Sequence, residues 1–494
     1  MKRNSLKGLI AIERIAIIGM GISGTATLTA YWKLQQAGQL PDVSIDYYDS
    51  LENMGCGPSF NKDSEHALLN TRTNEIGFDY ENQEDFQRWV EENYHSQAAY
   101  VPRQWFGEYL QERLKSMTEQ LKAKSIAAHV ESLCYLPERK QWRVQVTSAE
   151  PVYYDRVHLC TGDLPKMDFY ELKDTPGYVH DPYPLRELPQ EITSQTSVVI
   201  IGTSLSALDV LKYLQEVREL SLIHIFSRRN QFPIINPTPQ AITFKYLTEA
   251  TFQSYLTDYH GHLTYDQLLT WIRQECQRFA IDFDETIQDV LESGTGPLRA
   301  SLQQRDFYGY LEAIAMELTR ILNHHWHTLS IQDQDRFLDT YDQALSLIKA
   351  GIPDSSAQAI IQGEDDGQLL ILPDVTDLRY DETSEIYQII QDGGKVLAEV
   401  DWVINATGLD LHMRDLDAKD LLAQALNQAY IERHHAGGLT MHVPNKHIIS
   451  PRFGDLENLH PHGMLTHGAL YHINSVYSIQ RYAHELVQAL YVNA

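Results

Sequence analysis

The feature that most constrains the fold is the stretch RIAIIGMGISG, residues 14–24. Its four consecutive apolar residues, Ile15 to Ile18, predict a buried β-strand. Gly19, Gly21 and Gly24 follow at GxGxxG spacing, immediately before a pattern that predicts a helix. A glycine-rich turn between a strand and a helix is typical of a site for the pyrophosphate of a dinucleotide, because unpaired backbone N–H groups at the helix start face the ligand.

The three glycines have different expected roles. Gly19 permits the tight turn, Gly21 lets the main chain approach the pyrophosphate, and Gly24 lets the helix pack close to the strand. Ser23 is expected to belong to the same site. The alternative is a glycine-rich turn in a sheet protein that binds no nucleotide.

The next segment supplies further candidates for the site. A second strand over residues 43–48 closes with Asp49, whose carboxylate can accept hydrogen bonds from an adenosine ribose. The segments GCGPSF (55–60) and HALLNTR (66–72) follow, and in a flavin-type fold they lie beside the flavin ring, where glycine allows close backbone approach. The alternative for the residues of these two segments is an ordinary surface turn. The alternative for Arg103 is a solvated side chain without a ligand. The candidates are Asp49, Gly55, Gly57, Asn70 and Arg103, with Trp105 as a further possible contact.

The composition limits the class of protein. A chain of 494 residues exceeds one ordinary hydrophobic core, so two or three domains are expected. The formal net charge of −27 disfavours binding to nucleic acid or to an anionic membrane. Four cysteines without a CxxC pair indicate a reducing, cytoplasmic location. No run of about 20 apolar residues predicts a membrane span. The apolar run after Lys2 and Arg3 is interrupted by Glu13 and Arg14, so a signal peptide is not expected.

The opening motifs recur later in the chain. VVIIGTSLSALDVL (198–211) repeats the strand and turn, with the small residues Ser204 and Ala207 in place of two of the glycines. DRVHLCTG (155–162) and DWVINATG (401–408) are identical at four of eight positions. Two nucleotide-binding units are therefore predicted, each with a later strand that ends in Thr-Gly. The corresponding candidates are Thr161, Gly162, Gly202, Ser204, Ser206, Thr407 and Gly408.

The two units differ after their second strand. LIHIF (222–226) is followed by Ser227, Arg228 and Arg229 in place of an acid. An acid suits a free ribose 2′-hydroxyl, whereas Ser and Arg suit a 2′-phosphate, because Arg offers a planar fork of donors to phosphate oxygens. The pattern therefore predicts FAD in the first unit and NADPH, or NADH, in the second. The alternative for both arginines is a solvated turn.

With GCGPSF, LLNTR, YVPR, SRR and NATG added to both nucleotide motifs, the chain resembles the FAD-NAD(P)-binding family of bacterial proteins. Those proteins are relatives of class B flavin monooxygenases and of lysine and ornithine N-hydroxylases. The resemblance implies an α/β fold with two Rossmann-like, glutathione-reductase-type domains and a helical insertion. The expected parts are an FAD domain over 1–190, an NAD(P)-binding domain over 191–400 with the insertion at about 236–350, and the C-terminal part of the FAD domain over 401–494.

The resemblance also implies an activity. NADPH would reduce the flavin, and the reduced flavin would pass one oxygen atom of dioxygen to a small-molecule substrate. PGYVHDPYP (176–184) is similar to a linker motif of flavin monooxygenases, which would place His180 and Tyr183 near the nicotinamide path. The C-terminal helix, from about Ser475, would point its N-terminus at the flavin.

Two other functions stay open at this point. One is a flavin reductase or dehydrogenase with another electron acceptor, and the other is a non-catalytic FAD-binding protein. The histidines at 324–327 and 460–472 lack the spacing of a metal site with carboxylates, so no metal is predicted. The catalytic residues and the oligomeric state stay open.

Overall fold

The computed structural model describes residues 12–147, 149–162, 164–238 and 240–492. The interpretation of Lys2 and Arg3 therefore falls outside the described residues. The first part of the chain contains eight strands and three helices among these residues. They are β1 (Glu13–Ile18), α1 (Ile22–Gln36), β2 (Val43–Asp49), α2 (Glu84–Tyr94), α3 (Arg103–Leu121), β3 (Lys124–Ala127), β4 (Val130–Leu136), β5 (Gln141–Val146), β6 (Val152–Tyr154), β7 (Arg156–Leu159) and β8 (Tyr178–Val179).

The second part begins with a strand and a glycine turn and then becomes helical. Its elements are β9 (Val198–Ile201), α4 (Leu205–Glu216), β10 (Ile223–Phe226), α5 (Glu249–Asp258), α6 (Tyr265–Gln277), α7 (Phe283–Val290), α8 (Gly296–Gln303), α9 (Arg305–His325), α10 (Ile331–Phe337), α11 (Gln343–Lys349), α12 (Asp354–Asp365), β11 (Leu369–Ile371), β12 (Val375–Asp381), β13 (Ile386–Gln391), β14 (Lys395–Val400) and β15 (Trp402–Asn405).

The last part returns to the first sheet. Its elements are α13 (Leu421–Asn427), β16 (Met441–His442), β17 (His447–Ser450), β18 (Gly454–Leu456), β19 (Leu459–Pro461) and α14 (Val476–Tyr491).

Two parallel five-stranded sheets with matching strand order form the framework. The first has the order β19-β7-β1-β2-β3, and the second has the order β8-β15-β9-β10-β11. The strand β1 is buried over its last four residues and β9 over its whole length, as expected for parallel strands covered on both faces. The α/β class with two dinucleotide-type domains is confirmed.

The helical insertion is also confirmed. Helices α5 to α11 lie between β10 and α12 and share one hydrophobic core, which includes Phe252, Ile272, Leu318 and Trp326. Several of these helices begin at a side-chain cap. The caps are Thr248, Thr264, Asp282 and Ser330, each accepting a hydrogen bond from the backbone N–H three residues later.

The second sheet extends at both ends beyond the range 191–400 expected for its domain, since β8 also belongs to it. The return to the first domain was expected at residue 401, but Trp402–Asn405 pairs with β9 in the second sheet. Its register, Trp402 opposite Val198, matches that of β7 on β1, where Arg156 lies opposite Ile15. The second sheet therefore includes residues up to 405. The physical reason is the repeat itself, because DWVINATG is the counterpart of DRVHLCTG and takes the same place beside its glycine-turn strand.

Candidate functional site

The first glycine turn is built as the spacing predicts. Gly19 has φ +92°, and a Cβ atom there would lie 2.6 Å from the carbonyl oxygen of Cys160, the residue after β7. The Gly19 N–H donates to the Tyr48 carbonyl at 2.9 Å. A Cβ on Gly24 would overlap the Gly19 carbonyl oxygen. Both positions therefore require glycine, since the helix and two strands meet there without room for a side chain.

A second loop faces the turn. The Gly55 N–H donates to the Met20 carbonyl at 2.7 Å, and a Cβ on Gly21 would lie 3.5 Å from the Cα of Gly57. Gly21 and Gly57 thus oppose each other with no side chain between them. Ser23 lies on the other side of the turn, where the backbone of Gly463 approaches its hydroxyl closely.

Asp49 is fixed at the same turn. One carboxylate oxygen accepts the Met20 N–H at 2.6 Å, and the other accepts the Ser50 N–H at 2.7 Å. Each oxygen of an ionised carboxylate retains further acceptor capacity. The acid therefore lies where the sequence predicts it, at the end of β2 and beside the glycine turn.

The Thr-Gly pair after β7 has an unused polar group. The Thr161 hydroxyl is buried, and no described residue donates to it or accepts from it. Gly162 has open space where a Cβ would lie. A buried hydroxyl without a partner is costly, so Thr161 indicates a place where a polar ligand atom is missing.

The second glycine turn repeats the first. Gly202 has φ +121°, and a Cβ there would lie 2.6 Å from the carbonyl oxygen of Ala406. The Gly202 N–H donates to the Phe226 carbonyl at 2.7 Å. The pair Met20–Asp49 is replaced by Thr203 and Ser227, whose hydroxyl oxygens are 2.9 Å apart. Ser227 therefore occupies, at the second turn, the position that Asp49 occupies at the first.

The side chains beside this turn are open to solvent. Ser204 precedes α4 and is exposed, as are Arg228 and Arg229. Arg228 lies over the ring of Phe169, with 4.8 Å between the guanidinium carbon and the ring centre. Within the described ranges, neither arginine forms an ion pair with a carboxylate. Two free guanidinium groups therefore stand next to the end of β10.

The second Thr-Gly pair differs from the first. The Thr407 hydroxyl has one proton and two acceptors within reach, the Met167 carbonyl at 3.1 Å and Asn405 Oδ1 at 2.7 Å. Asn405 also donates to the carbonyls of Met167 and His180. Thr407 is thus hydrogen-bonded to the segment between β7 and β8, whereas Gly408 has open space where a Cβ would lie.

A cleft of about 250 Å³ separates the two domains. Among its lining residues are the predicted Asn70 and Arg103 from the first unit and Ser206 from the second. The structure therefore brings together candidates that are more than 100 residues apart in the chain. His66, Tyr183, Asp209 and Lys212 also line it, and of these only Tyr183 was singled out from the sequence.

A half-buried ion pair closes one wall of the cleft. Arg103 contacts Asp209, which also accepts the Tyr183 hydroxyl at 2.7 Å. Burial raises the pKa of Asp209, although Arg103 and Tyr183 act against that rise. The three groups come from α3, α4 and the linker, so they join both domains. The sequence gives no sign of this contact, because neither spacing nor periodicity connects residues 103 and 209.

The neighbouring segments also cross between the domains. Arg72 donates to the carbonyls of Asn236 at 3.2 Å and Pro237 at 2.7 Å, and Asn236 donates to the Asn70 carbonyl at 3.3 Å. Trp105 instead stacks on Tyr94, with ring centres 3.8 Å apart. Arg72 and Asn70 therefore anchor the start of the helical insertion at the cleft.

The C-terminal helix begins close to the first turn. Ser475 caps α14 by accepting the Ser478 N–H at 3.1 Å. Val476 and Ile22, the first residues of α14 and α1, pack against one hydrophobic cluster. The two helices therefore start in the same region, with α14 packed along α1.

The predicted histidine-rich stretches have structural partners. His158 is hydrogen-bonded to Tyr31 at 2.9 Å on one side and to His462 at 2.9 Å on the other. Burial lowers the pKa of His462 to about 3. His460 lies against the Arg156 guanidinium and the Lys446 carbonyl. These rings are neutral, buried parts of the first domain.

The described residues include neither a metal-binding cluster nor a helix able to span a membrane. No group of three or more His, Cys, Asp or Glu side chains there is arranged to hold a metal ion. None of the helices in the same ranges has both the length and the apolar character needed to cross a membrane.

The fold and the two glycine turns define a protein with two dinucleotide-binding domains. A family model described as FAD-NAD(P)-binding matches residues 16–164, which confirms the family resemblance for that region. No curated protein sequence matches the chain.

Solved structures share the fold along nearly the whole chain. The L-lysine 6-monooxygenase of Pseudomonas syringae has a TM-score of 0.58 at 13% identity, over 96% of this chain and 98% of its own. The ornithine N-hydroxylase of Kutzneria sp. 744, solved with reduced FAD, NADP⁺ and L-ornithine, has 0.57 at 12% identity, over 97% and 99%. The FAD-bound cadaverine monooxygenase of Erwinia amylovora has 0.56 at 14% identity, over 98% and 95%. The predicted likeness to N-hydroxylases is confirmed as a likeness of fold.

Proposed function

We propose that the protein is an FAD-dependent, NADPH-using monooxygenase that hydroxylates a small molecule. The observation that carries this proposal is the cleft between the two glycine-turn domains, where Asn70, Arg103 and Ser206 meet. Solved proteins of the same fold are monooxygenases of lysine, ornithine and cadaverine, and two of them contain FAD. The match of residues 16–164 to an FAD-NAD(P)-binding family model supports the cofactors.

We assign FAD to the first unit. The backbone N–H groups at the start of α1 would hold the pyrophosphate between Gly21 and Gly57, and Asp49 would accept from the ribose. The unpartnered hydroxyl of Thr161 supports this assignment, because a bound nucleotide would supply its missing partner.

We assign NADPH to the second unit. Ser204 stands at the start of α4, where a pyrophosphate would lie, and Arg228 and Arg229 are free to bind a 2′-phosphate. An acid at the place of Ser227 would repel that phosphate. The neutral hydroxyl is therefore consistent with NADPH rather than NADH.

The side chains around the cleft would hold the cofactors and the substrate in place for the reaction. FAD, once reduced, supplies the chemistry that activates dioxygen. The ion pair between Arg103 and Asp209 and the contacts of Arg72 hold the two domains together, which would keep the two cofactor rings in register and restrict water. The substrate would enter beside Asn70, close to the helical insertion.

The location is part of the same proposal. Cys56, Cys134, Cys160 and Cys276 are free thiols. Unpaired cysteines suit a reducing compartment, which supports the cytoplasm.

The test begins with the absorbance spectrum of the purified protein. Bound flavin that NADPH bleaches without oxygen, and that yields hydrogen peroxide or an oxygenated amine under air, is the expected result. Flavin that NADPH never reduces contradicts the proposal. Rapid reduction of a quinone with slow oxygen consumption would instead identify a reductase.

A second candidate is a protein that binds FAD without catalysis. The observation in its favour is that Thr407 and Ser227 already have hydrogen-bond partners in the protein, Met167 and Thr203. Fewer polar groups at the second turn are then available to bind a nucleotide. Titration with NADPH separates the two, because this candidate would keep FAD and show no binding of NADPH.

A further inference from the structure

A second, smaller pocket lies away from both glycine turns. It has a volume of about 100 Å³ and lies between α9 of the helical insertion, the loop at 443–446 and α14. None of the residues predicted to bind a nucleotide lines it. Its walls include three side chains that can donate hydrogen bonds, His324, Lys446 and Arg481.

Three donors converge on one carboxylate in this pocket. His324 Nε2 lies 3.0 Å from Glu485 Oε1, Arg481 Nε lies 3.6 Å from the same oxygen, and Lys446 Nζ lies 3.6 Å from Oε2. Burial alone would raise the pKa of Glu485, but the hydrogen bond from His324 and the nearby cations lower it. Glu485 is therefore ionised and carries one negative charge.

The donors outnumber the acceptors. Within the described ranges, Glu485 is the single carboxylate within 4 Å of either Lys446 or Arg481. Arg481 is only 9% exposed and spends one N–H on Asn323 at 3.1 Å. Among the described residues, neither side chain donates another hydrogen bond to a protein acceptor, and both line the pocket. An ammonium has three donors and a guanidinium has five, so donors remain for a ligand. Two cations therefore lie beside one carboxylate in this pocket.

Two cations beside one carboxylate leave one positive charge in excess, and this charge attracts an anion in a pocket partly shielded from water. We propose that the pocket binds a small oxyanion, a phosphate or a short carboxylate. The ligand would lie between Lys446 and Arg481 and complete the hydrogen bonds that Glu485 leaves open. Its size fits, because the volume corresponds to about three water molecules, and Val443, Leu470 and Ile473 close the apolar side.

The position gives the site a structural consequence. The pocket joins His324 on α9 to Arg481 on α14, so it lies where the helical insertion meets the first domain. A bound oxyanion would bridge these two helices. Binding should therefore stabilise the docking of the insertion, independently of whether FAD and NADPH act as proposed above.

The test measures binding of inorganic phosphate and of acetate to the full-length protein as purified. Calorimetric titration is done at constant ionic strength set with sodium chloride, and thermal unfolding is recorded in parallel. Saturable binding of at least one oxyanion, with a rise in unfolding temperature beyond that in chloride, is expected. A response to phosphate but not acetate identifies a tetrahedral ligand, and the reverse identifies a carboxylate. No saturable binding of either overturns the proposal.

Variants localise the site. Lys446→Gln should weaken binding about tenfold, as expected for one charge-assisted contact. Glu485→Gln should strengthen it, because the competing carboxylate loses its charge. Lys395→Gln makes the same charge change at an exposed position on β14 and should have no effect. Equal weakening by Lys446→Gln and Lys395→Gln, or no effect of either, contradicts the site. Binding unaffected by FAD separates this result from the cofactor proposal.

Discussion

Gly202 lies so close to the carbonyl oxygen of Ala406 that a Cβ atom on Gly202 would come within 2.6 Å of it. The same distance separates a Cβ on Gly19 from the carbonyl oxygen of Cys160. In both cases the carbonyl belongs to the residue just before a Thr-Gly pair. The two halves of the protein therefore repeat one turn in atomic detail, and each turn can be tested separately.

Gly19→Ala and Gly202→Ala should each destabilise the protein by about 2–4 kcal/mol, because each adds a backbone clash to an unfavourable positive φ. Gly19→Ala should also abolish FAD binding. Gly202→Ala should retain FAD and lose NADPH. Urea unfolding and cofactor titrations provide the measurements.

Gly38→Ala is the matched control, since Gly38 has φ +66° with no atom within 4 Å of a Cβ. It should cost about 1 kcal/mol and leave both cofactors bound. Loss of FAD in Gly202→Ala would contradict the separation of the two turns.

Thr161→Val removes a buried hydroxyl that has no hydrogen-bond partner among the described residues. We expect the unfolding free energy without cofactor to stay the same or rise slightly, while FAD binds about five- to tenfold more weakly. Thr407→Val removes hydrogen bonds to Met167 and Asn405 instead, so it should cost about 1 kcal/mol and leave FAD affinity unchanged. Equal FAD affinity in wild type and Thr161→Val would refute the role of Thr161.

Replacing Arg228 and Arg229 together with Ala should weaken NADPH binding by about ten- to a hundredfold and barely affect NADH. The reason is that only NADPH carries the 2′-phosphate. Arg139→Ala, a change at an exposed turn between β4 and β5, is the control and should affect neither. Similar decreases in affinity for NADPH and NADH would show that the arginines do not bind the 2′-phosphate.

Asp209→Asn should destabilise the protein by about 3 kcal/mol, because Arg103 would remain in the interface without its counterion. The double replacement Arg103→Met with Asp209→Leu should recover much of that loss. Chemical denaturation of the wild type, of Arg103→Met, of Asp209→Leu and of the double variant gives the coupling energy. Additive effects of the two single changes would mean that the ion pair does not join the domains.

Stability should fall as the pH decreases below about 6.5. Burial lowers the pKa of His462 to about 3 and that of His467 to about 4, and it also lowers the pKa of His158 and His460. The unfolded chain therefore binds more protons below pH 6.5, so each such histidine costs about 1.4 kcal/mol of unfolding free energy per pH unit in that range.

Glu312 acts in the opposite direction, because burial raises its pKa to about 7. One such carboxylate does not cancel four histidines, so the net slope between pH 6.5 and 5 stays positive. Urea unfolding at four pH values measures it. His462→Asn should reduce the slope by about one proton, and the exposed His95→Gln should not. A flat profile would contradict the neutral state of the buried rings.

Local patterns predicted the framework correctly. The apolar runs and the glycine spacing identified β1, β9 and both turns. The structure also places Ser227 at the position equivalent to that of Asp49, as the sequence comparison predicts. These features depend on residues close in sequence, which is why one chain suffices to find them.

Contacts between distant segments were not predictable. Arg103 and Asp209 meet across the domain interface, and the two-residue strand β8 is too short to show a period. His462 is hydrogen-bonded to His158 and His460 to Arg156, and no spacing rule indicates either contact. The second sheet continues past the predicted boundary at 401, as the repeat of DRVHLCTG in DWVINATG already indicates.

The first sheet is completed by β19, which pairs with β7 across some 300 residues of intervening chain. The second sheet needs only residues between 178 and 405. During synthesis on the ribosome, one edge of β7 therefore stays unpaired until β19 has been made. All strands of the second sheet are made before β19, so that sheet can form first. Nascent chains stopped before residue 461 should consequently depend on chaperones, and the unit that begins translation first should be the last to mature.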